Sequence, residues 1–89
     1  MNEEKEAWLK IGSICVDTVE KIEKVLKAME SPHFNAMLTD EDGTEAWLSD
    51  FGSGEDFDAV MVLIRNILEN EKYKAEQRLR DVTEKLREL

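Results

Sequence analysis

The stretch that most restricts what this chain can become runs from Ser53 to Leu89 and reads as one long helix. Its first half, Phe57-Asp58-Ala59-Val60-Met61-Val62-Leu63-Ile64, is nearly apolar all round. Its second half carries a narrow stripe, Ala75, Leu79, Val82, Leu86 and Leu89, at steps of four, three, four and three. That is the spacing of a coiled-coil seam. A helix apolar on every side needs cover on every side, whereas a narrow seam wants one partner. The β-branched residues of 59–68 could pass for a strand, but the period of Phe57, Val60, Met61, Ile64, Ile67 and Leu68 is helical. Ser53 is expected as N-cap, with Glu55, Asp56 and Asp58 in the first turn, where the helix dipole favours anions.

A second helix is predicted over 3–30. Trp8, Ile11, Cys15, Val19, Ile22, Leu26 and Met29 recur every three or four residues, with Ile14, Val16 and Val25 widening the stripe. Glu20–Lys24 and Glu23–Lys27 stand four apart with the acid first, the better order for exposed pairs. Gly12 costs about 1 kcal/mol against Ala in a helix interior. It reads more readily as a tolerated glycine than as a close approach of another backbone. Ser31-Pro32 ends the helix, because the residue before proline is pushed out of the α region.

Between the helices, 33–51 reads as a β-hairpin: Phe34–Leu38, then Thr39-Asp40-Glu41-Asp42-Gly43, then Thr44–Phe51. Asp-Gly is the commonest two-residue hairpin loop, since a type I′ turn needs positive φ at both central residues. That register pairs Glu41 with Thr44, Leu38 with Trp47 and Phe34 with Phe51. It also sets Asp40 opposite Glu45, a costly like-charge pair, so a longer loop is the alternative. A two-stranded hairpin is not stable alone and must lie on the helices or join another sheet. The expected fold is therefore α+β and mostly helical: a single α-β-β-α domain over 1–89, with two long antiparallel helices and a coiled-coil-like C-terminal one.

The net charge of −9 is concentrated in the middle of the chain. Residues 1–27 hold six acids and five bases, and residues 65–89 hold six and seven. Between Ala28 and Ile64 stand nine acids and neither Lys nor Arg. Direct binding to nucleic acid or an anionic membrane is disfavoured, because phosphate contacts need clustered Lys and Arg. A basic protein surface is favoured instead. No apolar run reaches the roughly 18 residues of a membrane span, and the acidic start argues against a signal or transit peptide. The single cysteine, Cys15, excludes a disulfide within the chain and suits a reducing compartment, so a cytoplasmic location is expected.

Catalytic chemistry finds little support. Asp40-Glu41-Asp42-Gly43 is similar to the core of an EF-hand loop, but Gly43 at loop position six leaves Leu38 at one and Ser49 at twelve, without the necessary carboxylates. Cys15 and His33 could form a nucleophile–base pair only if the fold joined a mid-helix thiol to a helix-end imidazole. Gly52-Ser53-Gly54 is too short, and too closely ringed by acids, for a phosphate loop. No catalytic residue, metal or cofactor is expected, and the chain reads as a non-enzyme.

Two features point to binding. Asp40, Glu41, Asp42, Glu45, Asp50, Glu55, Asp56 and Asp58 form a candidate surface for a basic partner; solubility and helix capping are the plainer explanation. The C-terminal seam is the second. A 28-residue helix spans roughly 42 Å and a 36-residue one roughly 54 Å. Antiparallel packing from the connected ends would leave the last turns of the longer helix bare, so Ala75, Leu79, Val82, Leu86 and Leu89 are expected to form a homodimer. In size and composition the chain resembles phage-encoded inhibitors of bacterial defence nucleases, some of which imitate the charge of DNA. The resemblance implies the basic groove of a nucleic-acid-binding enzyme as partner. An alternative function is a structural or adaptor module acting through exposed Trp8, Trp47, Tyr73, Leu79 and Leu86. A third is a dimer enclosing a small ligand near Trp47 and Met61.

Overall fold

The computed structural model of the chain describes residues 2–52 and 54–89. It has the order α1 (Glu3–Ala28), β1 (Met37–Thr39), β2 (Glu45–Trp47), a 3-10 turn (Leu48–Asp50) and α2 (Glu55–Glu88). This is the α-β-β-α arrangement expected from the periodicities, with two long antiparallel helices and a short antiparallel hairpin between them. No helix among the described residues is long and apolar enough to cross a membrane.

Helix α1 starts on Asn2, whose Oδ1 accepts from the amides of Glu4 (3.0 Å) and Lys5 (3.3 Å). That satisfies two of the donors a helix start leaves without partners. Helix α2 starts at Gly54 with φ +75°, and the Asp58 amide donates to the Gly54 carbonyl at 2.9 Å. The expected Ser53 cap falls on a residue outside those described.

The α1 stripe is as its spacing predicts: Cys15 and Ile22 are buried, and Trp8, Ile11, Val19, Leu26 and Met29 are half-buried. The widening positions Ile14, Val16 and Val25 face solvent instead. On α2, Ala75 and Val82 are buried and Leu79 and Leu86 half-buried. The core is small: Cys15, Ile22, Ala75 and Val82 are its buried apolar side chains. It closes tightest at Gly12, where a Cβ would stand 3.3 Å from Val82 Cγ1 and 3.8 Å from Leu79 Cδ1. Gly12 is therefore closely packed by α2 side chains, which is neither the merely tolerated glycine nor the approach of another backbone weighed from the sequence. Glu23, expected to pair with Lys27, instead meets Lys72 of α2 at 3.4 Å.

These contacts fix the offset of the helices and correct the sequence argument about length. Gly12 lies against Val82 and Glu23 against Lys72, so α1 covers the C-terminal part of α2. The overhanging part is the N-terminal one. The 26-residue connection between the helices does not hold their joined ends level. It folds back instead, so that Pro32 and Phe34 line a groove with Phe57 and Met61. The seam residues Ala75, Leu79 and Val82 are consequently spent on α1, Leu86 is half-buried, and only Leu89 of that set is exposed. The reason given for a dimer through that seam, an unsheltered C-terminal end, is overturned.

The hairpin register also differs by one residue. Met37 pairs with Trp47, Leu38 with Ala46 and Thr39 with Glu45. Gly43 is at φ +83° and no non-glycine residue described has positive φ, which excludes a type I′ turn at Asp42-Gly43. The loop is the three-residue kind, with glycine in the left-handed position. Asp40 then faces Thr44 instead of Glu45, and the like-charge pair is avoided. The strands are also shorter than expected, because the chain turns into the 3-10 segment after Trp47.

Candidate functional site

All eight acids singled out from the sequence are exposed, and they gather on the hairpin and the first turn of α2. Their environments divide them. Asp40 builds the loop: its Oδ1 accepts from the amides of Thr44 (2.8 Å) and Asp42 (3.0 Å). The Thr44 backbone bond foremost, and then the Thr44 hydroxyl, hold the Asp40 carboxyl below its ordinary value, since donors favour the ionised form. Asp50 accepts from the Trp47 amide at 3.2 Å and so stabilises the 3-10 turn. Glu55, Asp56 and Asp58 occupy the first turn of α2, where the helix dipole favours them. Glu41, Asp42 and Glu45 remain as the carboxylates whose charge the hairpin does not need for its own shape.

The neck of the hairpin is clasped by Asn35, a residue the sequence did not single out. Its Nδ2 donates to Ser49 Oγ at 2.6 Å, and its Oδ1 accepts from the amides of Ala36 (2.9 Å) and Ser49 (3.4 Å). The Leu48 amide adds a bond to the Ala36 carbonyl at 2.8 Å. This clasp matters because the strands rest little on the helices: every strand residue is exposed except half-buried Ala46. Nothing in local spacing announces a bond between residues fourteen apart.

Comparison with protein families, curated proteins and solved structures finds no match.

Apolar side chains stand among the acids. Leu38, Trp47 and Phe51 are all exposed, Phe51 at 72%. Elsewhere the constellations considered from sequence stay apart. Cys15 is buried against α2 while His33 lies in the connection after α1. Thirteen residues separate Cys15 from the end of α1, about 20 Å of helix. The groove beside Met61 has a volume of about 370 Å³ and is lined by Phe34, Phe57 and Arg65, not by Trp47. No group of three His, Cys, Asp or Glu side chains among the described residues could hold a metal ion. Of the apolar residues considered for an adaptor, Trp47 and Tyr73 are exposed, and Trp8, Leu79 and Leu86 are half-buried.

Proposed function

We propose that this protein is a non-enzymatic binding module that docks its hairpin end onto a basic protein surface, such as the nucleic-acid groove of an enzyme. The observation that carries the reading is the pairing of charge and shape at one end of an elongated molecule. Eight exposed carboxylates stand on a hairpin and an adjoining helix start, and 28–64 contains no Lys or Arg to neutralise them. Solubility alone does not require such segregation. Exposed Leu38, Trp47 and Phe51 supply the apolar contacts that a purely electrostatic encounter lacks. Charge then steers the approach and rejects anionic partners, while the aromatic rings anchor the complex.

Glu41, Asp42 and Glu45 give the cleanest test, because Asp40 shapes the loop and its replacement would confuse folding with binding. Titration against a basic nucleic-acid-binding protein should show affinity falling steeply as salt is raised. A Glu41→Lys, Asp42→Lys, Glu45→Lys variant with an unchanged circular dichroism spectrum should lose binding by at least about a hundredfold, or roughly 3 kcal/mol. Affinity indifferent to salt, or retained by the triple variant, refutes the proposal. The exposed apolar positions on α2 support a second role in self-association.

A further inference from the structure

One face of the two-helix layer carries uncovered apolar side chains beside a charged groove. Ile14 and Thr18 of α1 line that shallow groove with Glu71, Lys74 and Arg78 of α2, which identifies the side of α2 that shares a face with Ile14. Two turns before Lys74 on that side stands Ile67, followed by Leu63 and Val60 at steps of four and three. They are exposed at 52, 58 and 37%. Val60 in turn adjoins Phe51 beside a smaller groove. On α1 the face continues from Ile14 to exposed Val25, three turns further along.

We propose that this face packs on the same face of a second copy of the chain, with the ends of the two molecules reversed, so that the overhanging N-terminal part of each α2 lies in the groove between the other copy's helices. Area argues for permanent cover. The chain exposes 7173 Å², whereas a compact monomer of 10.3 kDa exposes roughly 5,400 Å². The excess is about twice the roughly 800 Å² that each partner contributes to a standard interface. A single layer of two helices, with four buried apolar side chains among the described residues, lacks the second layer that a domain core ordinarily has.

Charge argues for a copy and for reversed ends. Asp56 lies eleven residues before Ile67 and Arg78 eleven after it, about 16 Å in either direction and three turns round to the same side. A two-fold axis beside Ile67 sets Asp56 of each copy opposite Arg78 of the other, the self-complementary pattern of an isologous interface. Side-by-side copies with like ends together would instead crowd both acidic hairpins.

Sedimentation equilibrium of the full chain at micromolar concentration tests this. The wild type is expected at twice 10.3 kDa, with a melting temperature that rises with concentration. Leu63→Lys should be monomeric. Leu63→Ala, the milder change if the lysine variant fails to fold, should raise the dimer dissociation constant about tenfold or more. Tyr73→Lys, exposed about 120° round α2 from Ile67, should leave the dimer intact. Asp56→Arg and Arg78→Asp should each weaken association, and the double variant should recover it. A monomeric wild type, Leu63 variants as dimeric as the wild type, dissociation by Tyr73→Lys equal to that by Leu63→Lys, or a double charge swap without recovery would each overturn the interface. Asp56 belongs to both surfaces, but Leu63 and Arg78 lie outside the acidic end and Glu41, Asp42 and Glu45 outside the dimer face, so the Leu63 variants and the triple lysine variant test the two proposals separately.

Discussion

Asp40 shows how one side chain decides the shape of the acidic end. Its carboxylate accepts two loop amides, and those bonds favour its ionised form. Because its folded value is lowered, the stability it supplies is present well above the ordinary 3.8 and drains as pH falls through the lower folded value. The Thr44 amide resonance should therefore titrate with a midpoint below 3.8, and in Asp40→Ala it should not titrate and should exchange faster with solvent. A midpoint at or above the ordinary value would remove Asp40 from this role. The acids themselves were legible in the sequence, but the division of labour among them was not. A two-residue Asp-Gly turn and a three-residue loop share the string Asp42-Gly43; the Asp40–Glu45 repulsion hinted at the longer loop, and the bonding of Asp40 decides it. Asn35 was invisible for a different reason, since its partners come from the far side of the hairpin.

At the scale of elements, the helical periods carried most of the fold. The seven positions picked by spacing, six in α1 and Met29 at its end, are all buried or half-buried, because burial on a single face imposes that period. The offset between helices was illegible, since it depends on how a long connection spends its own apolar residues, and the period is the same for every offset. Gly12 marks that offset. Gly12→Val should clash with Val82, which is only 2% exposed, and should destabilise by about 1–3 kcal/mol in chemical denaturation. Val82→Ala should cost about 2 kcal/mol through the cavity it leaves. Combining Gly12→Val with Val82→Ala should cost less than the sum of the two, because each fills what the other empties. Strict additivity would mean that the two positions do not touch.

For the whole molecule, the radius of gyration of 17.7 Å, with extents of 54 × 29 × 16 Å, exceeds the roughly 12 Å of a compact domain of this length. A rod with so thin a core depends on every part of its helical contact. Truncation after Tyr73 removes Ala75 and Val82, half of the buried apolar side chains among the described residues. The shortened chain is expected to lose cooperative thermal unfolding by circular dichroism, not merely to lose association. A sharp transition in the truncated chain would show that the overhanging end folds by itself.

The helix offset also governs how the molecule can be handled. Since α1 begins level with the close of α2, Glu3 and Glu88 lie at the same end of the helical pair, and the length of α1 sets Glu3 about 40 Å from Ala28. In a dimer with reversed ends, that end lies beside the other copy's hairpin. A bead attached at either end should therefore hinder docking by the dimer more than docking by a monomeric Leu63→Lys variant.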